Sequence, residues 1–209
     1  MARPRTALLD LERITTAAMD LLDETGDFTM PALAARLHVQ TASLYHHVDG
    51  RSGVVELLRT RIGEEIVSAP HPEESWEPAM RSYAYSYRAA FAAHPHVVPL
   101  LTTEPIRSPQ VLAGYERMVA LMEKAGFPLP SVMTALTALE NFVLGAALDL
   151  AAPEVMWAVP PGLSADRLAA ALAAQPAEPT RADRAFDFGV DLLLRGCAEL
   201  LNAGTGQAN

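Results

Sequence analysis

Residues 28–58, FTMPALAARLHVQTASLYHHVDGRSGVVELL, constrain the fold of this chain more than any other stretch. Thr29 is a good helix N-cap, because its hydroxyl can accept from the free amides of the turn that follows. Leu33, Ala34 and Leu37 then share one apolar helical face. The pattern breaks across His38, Val39 and Gln40 and resumes with Leu44, Tyr45 and Val48. Between those apolar anchors stand Thr41, Ser43, His46 and His47, and a further helical pattern begins at Arg51. Two short helices joined by a few residues, the second bearing hydrogen-bonding side chains on its outer face, form a helix-turn-helix.

The chain of 209 residues is long enough for one large domain or two small ones, and for a substantial core. Half of it is hydrophobic, yet no uninterrupted apolar run approaches the roughly 20 residues of a membrane span, so no membrane partner is expected. The opening MARPRTALLDLERI lacks the apolar stretch of a secretion signal. Cys197 is the single cysteine and has no partner for a disulfide, which fits a reducing, cytoplasmic setting. Its place beside Leu193 and Leu200 reads as a small core or interface residue.

Net charge is −9, which excludes a nonspecific coat on nucleic acid. Residues 1–61 hold seven arginines and eight carboxylates, near −1, and the remainder carries the other −8. DNA contact must therefore rest on the motif rather than on bulk charge, with Arg3, Arg5, Arg36 and Arg51 supplying most phosphate contacts.

Helical periodicity continues to the C-terminus, with no convincing alternation of a strand and no internal repeat. A first helix is expected from about Asp10, its N-cap, to Thr25, stopped by Gly26, with Ile14, Ala17, Ala18, Leu21 and Leu22 inward. A helix over 51–67 leads out of the small domain, and Ala69-Pro70-His71-Pro72-Glu73 punctuates the boundary. The expected order is then a helix over 76–94, a short helix or turn confined by Pro95 and Pro99, and a helix over 108–125. Helices follow over 131–150, 164–174 and 181–202, with a proline-rich loop at 151–162 and a frayed GTGQAN tail. The fold class is all-α: a three-helix helix-turn-helix domain over 1–68, and a helical ligand-binding and dimerisation domain over 69–209.

Two late helices are too apolar for an ordinary surface. On 131–150 only Glu140, Asn141 and Asp149 interrupt the apolar circumference. On 181–202, Phe186, Val190, Leu193, Cys197 and Leu200 form a stripe that Phe188, Leu192, Leu194 and Leu201 widen. Such helices need burial on nearly all sides. Either one large core supplies it, or the two helices pair with their copies in a four-helix bundle, which makes the chain a homodimer.

The run Leu44-Tyr45-His46-His47-Val48, the turn at Asp49-Gly50 and Arg51 resemble the recognition helix of the TetR family of bacterial transcriptional repressors. The resemblance extends through Trp76, Ala92-Ala93-His94-Pro95, Gly126-Phe127 and Phe142-Val143-Leu144-Gly145 to the tetracycline-repressor branch. It implies a homodimer on a palindromic double-stranded operator, released by a small effector. It also implies that Thr41, Ser43, Tyr45, His46 and His47 face DNA and that Arg51 meets phosphate; Thr29 and Arg36 complete the set. Tyr45 and His47 suit phosphates, whereas Thr41, Ser43 and His46 suit base edges. His46 stands where the family carries a larger aromatic, and Pro31 where that branch reads DNA with a polar or basic side chain. The operator therefore does not transfer.

Met80, Tyr83, Tyr87 and Phe91 recur at helical spacing, as do Met118 and Met122 on the next long helix. Such a stripe is either core or the wall of an apolar ligand cavity. Glu140 and Asn141 need polar partners there, in the cavity or at an interface. His94 and His96 lack a third ligand, so they read as structural or cavity histidines and no metal is expected. The drug-bound magnesium of the tetracycline repressors is held by a histidine whose nearest equivalents here are Val98 and Pro99, so tetracycline is not the expected effector. No cofactor is expected, and neither HExxH nor a glycine-rich phosphate loop marks an enzyme. The alternative is a helical ligand-binding or protein-interaction dimer with weakened DNA binding.

Overall fold

The computed structural model describes residues 9–66 and 75–205, with side chains through Leu201. Among the described residues every regular element is a helix: α1 Leu11–Thr25, α2 Met30–Arg36, α3 Thr41–Leu44, α4 Gly50–Glu65 and α5 Trp76–Ala93. They are followed by α6 Val97–Thr102, α7 Pro109–Lys124, α8 Leu129–Asp149, α9 Asp166–Ala173 and α10 Arg181–Thr205. The Ala69–Glu73 boundary, Arg3, Arg5 and the last four residues lie outside the described set.

Local signals explain the first helices. The Asp10 carboxylate accepts from the Arg13 amide at 2.8 Å, and Gly26 closes α1 in the left-handed region at φ 79°, donating to Leu22 O. Thr29 accepts from the Ala32 amide at 3.2 Å with Pro31 in the first turn of α2. His38 turns the chain at φ 56°, the one described non-glycine residue with positive φ, and so sets α3 across α2.

The second motif helix is shorter than its apolar pattern suggests. Regular α-helix ends at Leu44, and the chain continues to Val48 in tight turns, with the His47 amide on Leu44 O at 2.9 Å. Leu44 and Val48 are both buried, so the apolar anchors fall as expected even though the hydrogen bonds tighten. At the other end of the chain, α10 runs past the expected stop at Asn202, since no proline breaks it.

Two apolar clusters hold the molecule. The first joins Ile14, Ala18, Leu22, Leu33, Leu44, Val54 and Leu58 of the head and extends to Phe91, Val97 and Leu101. Each such aliphatic side chain contributes about 1.5–3 kcal/mol relative to exposure. The second gathers Met80, Tyr83, Met118 and Met122 around Val132, Leu136, Leu139 and Val143 of α8, with Phe186, Val190 and Leu194 of α10. By length and composition α8 could cross a membrane. Here it packs against α5, α7 and α10 within the fold. Its buried stripe covers only one side, leaving Met133 and Leu148 exposed.

Candidate nucleic-acid interface and effector cavity

The head presents the α3 turn outward. Leu44 and Val48 pin it to the core, which leaves Tyr45, His46 and His47 exposed and Thr41 and Ser43 half-buried at its start. Tyr45 keeps 57% of its surface in solvent despite its apolar neighbours. Thr29 is exposed, with its hydroxyl occupied as the cap of α2.

The two arginines of the predicted set already hold carboxylates. Arg36 forks onto Glu24 of α1 at 2.7 and 2.5 Å. Arg51 donates to Asp27 at 2.7 Å and to the Phe28 carbonyl, and its guanidinium lies 4.4 Å above the Phe28 ring. Hydrogen bonds from these guanidinium groups hold the Glu24 and Asp27 carboxyls below their ordinary range. Sequence reading missed Glu24 and Asp27 as partners, because pairs separated by 12 and 24 positions leave no periodic signal.

A cavity of about 260 Å³ opens between α4, α5, α7 and α8. Its walls include Ile62 of α4 and Ile66 at its C-cap, Tyr83, Tyr87 and Phe91 of α5, and Tyr115 and Met118 of α7. Of the predicted ligand residues, Tyr83, Tyr87 and Met118 therefore meet here. Glu140 stands directly behind, accepting from the Tyr83 and Tyr115 hydroxyls at 2.6 and 2.7 Å. Met80 and Met122 are instead completely buried in the second core cluster. Asn141 is exposed, one residue round the helix from Glu140. His94 leaves the cavity altogether and bonds Asp23 of α1 at 2.9 Å, bridging the head to the end of α5. Tyr115 was missed, although its spacing of three from Met118 places both on one face of α7.

Burial pushes the Glu140 carboxyl up, against the opposing pull of the two tyrosine hydrogen bonds. Burial and then the nearby Glu140 charge push the Tyr83 and Tyr115 hydroxyls up, so both stay protonated. A raised carboxyl means that the unfolded chain releases its proton first. Its contribution to stability is complete below the ordinary value of 4.5 and is lost as pH rises through the folded value. Glu140→Gln keeps an acceptor for both tyrosines and abolishes that loss. Thermal melts should show the variant gaining on the parent protein as pH rises from about 4 to about 8; a constant difference would contradict a buried, titrating Glu140.

Helix α4 joins the two sites. Its Arg59, 8% exposed, donates to Glu56 at 3.0 Å and to the carbonyls of Leu101 and Glu104 at 3.1 and 2.9 Å. Glu56 also accepts from the Arg107 amide at 3.0 Å, and Thr60 meets Ser108 at 2.9 Å. The helix that begins beside the α3 turn is thus tied by polar contacts, most of them at least partly buried, to the α6–α7 segment bordering the cavity.

A helix-turn-helix head on an all-helical body with a cavity between its helices defines the class of one-component helical regulators. Residues 69–201 match the tetracyclin repressor-like C-terminal domain family. The chain belongs to the TetR family of transcriptional regulators, a family of non-enzymes. It is 30% identical over 207 residues to the class E tetracycline repressor of Escherichia coli, covering 94% of each chain. It is 31% identical over 140 residues to an HTH-type transcriptional regulator of Saccharopolyspora erythraea, covering 66% of this chain and 59% of that protein. The chain thus spans about three fifths of that relative, and 53% of a transcriptional repressor of Streptomyces coeruleorubidus. Among solved structures it resembles the Streptomyces coelicolor regulator ActR in complex with actinorhodin: TM-score 0.74, 26% identity, covering 97% of this chain and 100% of that one.

Proposed function

We propose that this protein is a ligand-responsive transcriptional repressor that binds a palindromic operator as a homodimer in the cytoplasm and is released by a small, mainly apolar effector. The observation that carries the reading is α4, whose start adjoins the α3 turn and whose Ile62, with Ile66 just past its end, lines the cavity. An effector releases DNA only if it binds the spacing of the two heads that misses the grooves better than the spacing that fits them. A guest between α4 and α7 bears directly on that spacing. The actinorhodin complex of the S. coelicolor relative supports a small molecule as the occupant.

Two copies related by a two-fold axis would set their α3 turns in successive major grooves, about 34–36 Å apart. Arg36 and Arg51 would exchange Glu24 and Asp27 for phosphates. Thr41→Ala and Ser43→Ala are expected to change base preference, each base that goes unread costing about 1–3 kcal/mol of discrimination. Tyr45→Ala and His47→Ala are expected to weaken binding to all sequences alike. Binding-site selection on the four variants checks this assignment; unchanged preference in the Thr41 and Ser43 variants would remove them from the reading face.

The occupied arginines favour one second reading, a helical ligand-binding dimer whose DNA affinity has weakened. Footprinting on DNA flanking the protein's own gene separates the two. A symmetric protected pair of half-sites supports the repressor. No protection, or one asymmetric half-site bound by a single protomer, refutes it.

A further inference from the structure

We infer that the effector cavity selects a protonated amine carried on an aromatic body. The inference rests on the cavity being the effector site. Tyr83 and Tyr115 both line the cavity, and each gives its only hydroxyl proton to the same Glu140 oxygen, at 2.6 and 2.7 Å. A phenol whose proton is committed has only oxygen lone pairs left for a guest. At these two hydroxyls the wall therefore offers acceptors only. An ammonium, with donors and no acceptor, is its complement.

Charge and ring geometry point the same way. Tyr87 stacks on Phe91 at 4.7 Å between centroids and meets Tyr83 edge-on at 5.4 Å, so the wall beside the acceptors is continuously aromatic. Such faces attract cations and accept the flat body of an aryl amine. Behind the wall lies a carboxyl whose charge burial disfavours, and an entering cation would restore it. Arg59 also borders the cavity, but Glu56 and two backbone carbonyls occupy its guanidinium. Glu64 and Arg117 are exposed at the rim with opposite charges. Glu140, one layer behind the two tyrosine hydroxyls, has no cation among its hydrogen-bond partners.

Three naphthalene probes of one shape test the charge preference: naphthylmethylamine, naphthylmethanol and naphthoate. Fluorescence titration of the full chain should give the amine an affinity about tenfold above the alcohol, with naphthoate weakest. In Glu140→Gln the amine-to-alcohol ratio should fall toward one, and Tyr115→Phe should lower it independently should the first variant fail to fold. If the alcohol or naphthoate binds as tightly as the amine, the proposal is overturned while the cavity stands as a ligand site. A ratio that survives both substitutions overturns it too. Absence of binding by all three probes, with no thermal shift, overturns the proposal together with the reading of the cavity.

Discussion

Glutamate in place of Phe188 is expected to leave the chain folded, make it monomeric and lower operator affinity by about 10²–10⁴-fold, the avidity that disappears when two linked heads become independent. Phe188 is 67% exposed on α10, and Leu192 and Leu200 of the same helix are exposed with it. Met133 and Leu148 bare the neighbouring face of α8. An apolar surface on two adjacent long helices matches the four-helix arrangement proposed for the dimer. A two-fold interface presents each residue twice, so a single substitution would desolvate two unpaired carboxylates, and a buried charge without a partner is strongly unfavourable. Because Phe188 makes little use of its own protomer's core, circular dichroism should still report a helical fold. Sedimentation and a gel shift read the two effects. Unmodified protein that sediments as a monomer at micromolar concentration, or a Phe188→Glu variant that remains dimeric, would end the assignment.

Two positions earlier, the same residue type has a different role. Phe186→Ala is expected to lower the unfolding free energy by about 3–5 kcal/mol, as for other buried phenylalanines. Phe186 is 1% exposed, stacks parallel to Phe142 at 5.9 Å and meets Tyr85 edge-on at 4.9 Å. The Arg88 guanidinium lies 4.4 Å above its ring. Arg88 is itself buried, with Asp183 at 2.8 Å, and its Nε and Nη2 have no hydrogen-bond partner among the described residues. Removing the ring would thus leave both a cavity and a buried cation stripped of its one covering face. The site has little room to relax. A Cβ at Gly189, one turn of packing away, would lie 2.2 Å from the Phe142 ring, so α8 and α10 are already in closest approach. Chemical denaturation of the variant measures the effect. A change below about 1 kcal/mol would show that the α8–α10 seam can collapse into the space left by the ring.

The fold and its broad plan were legible along the chain because their signals act over about four residues. Asp10, Thr29 and Ser108 cap α1, α2 and α7, each accepting from an amide three residues on. Gly26 stops α1, and the prolines at 95, 153, 176 and 179 fall between helices, as a residue without a backbone donor should. The helix-turn-helix carried both an apolar period and a polar outer face, so Thr41, Ser43, His46 and His47 stood out by spacing, whereas the expectation that this set and Tyr45 face DNA came from the family resemblance. The cavity residues could be named only as a stripe. Tyr83, Tyr87 and Met118 reached the cavity, whereas Met80 and Met122, at comparable spacing, went into the core.

What local sequence determined, then, is which segments are helical, where they stop and which are apolar enough to need covering. Tertiary structure alone decided what covers them. Phe186 and Phe188 have the same chemistry, but the helical turn between them sends one into the core and the other to the surface. Glu140 and Asn141 are adjacent, yet only Glu140 reaches the two tyrosine hydroxyls brought from α5 and α7. His94 was equally able to face a ligand, and the packing of α1 against the end of α5 gave it Asp23 instead. Capping and periodicity are energies of neighbouring residues, readable in order along the chain. A partner drawn from another helix depends on crossing angles and axial offsets set by the whole core at once, and no stretch of the sequence records them separately.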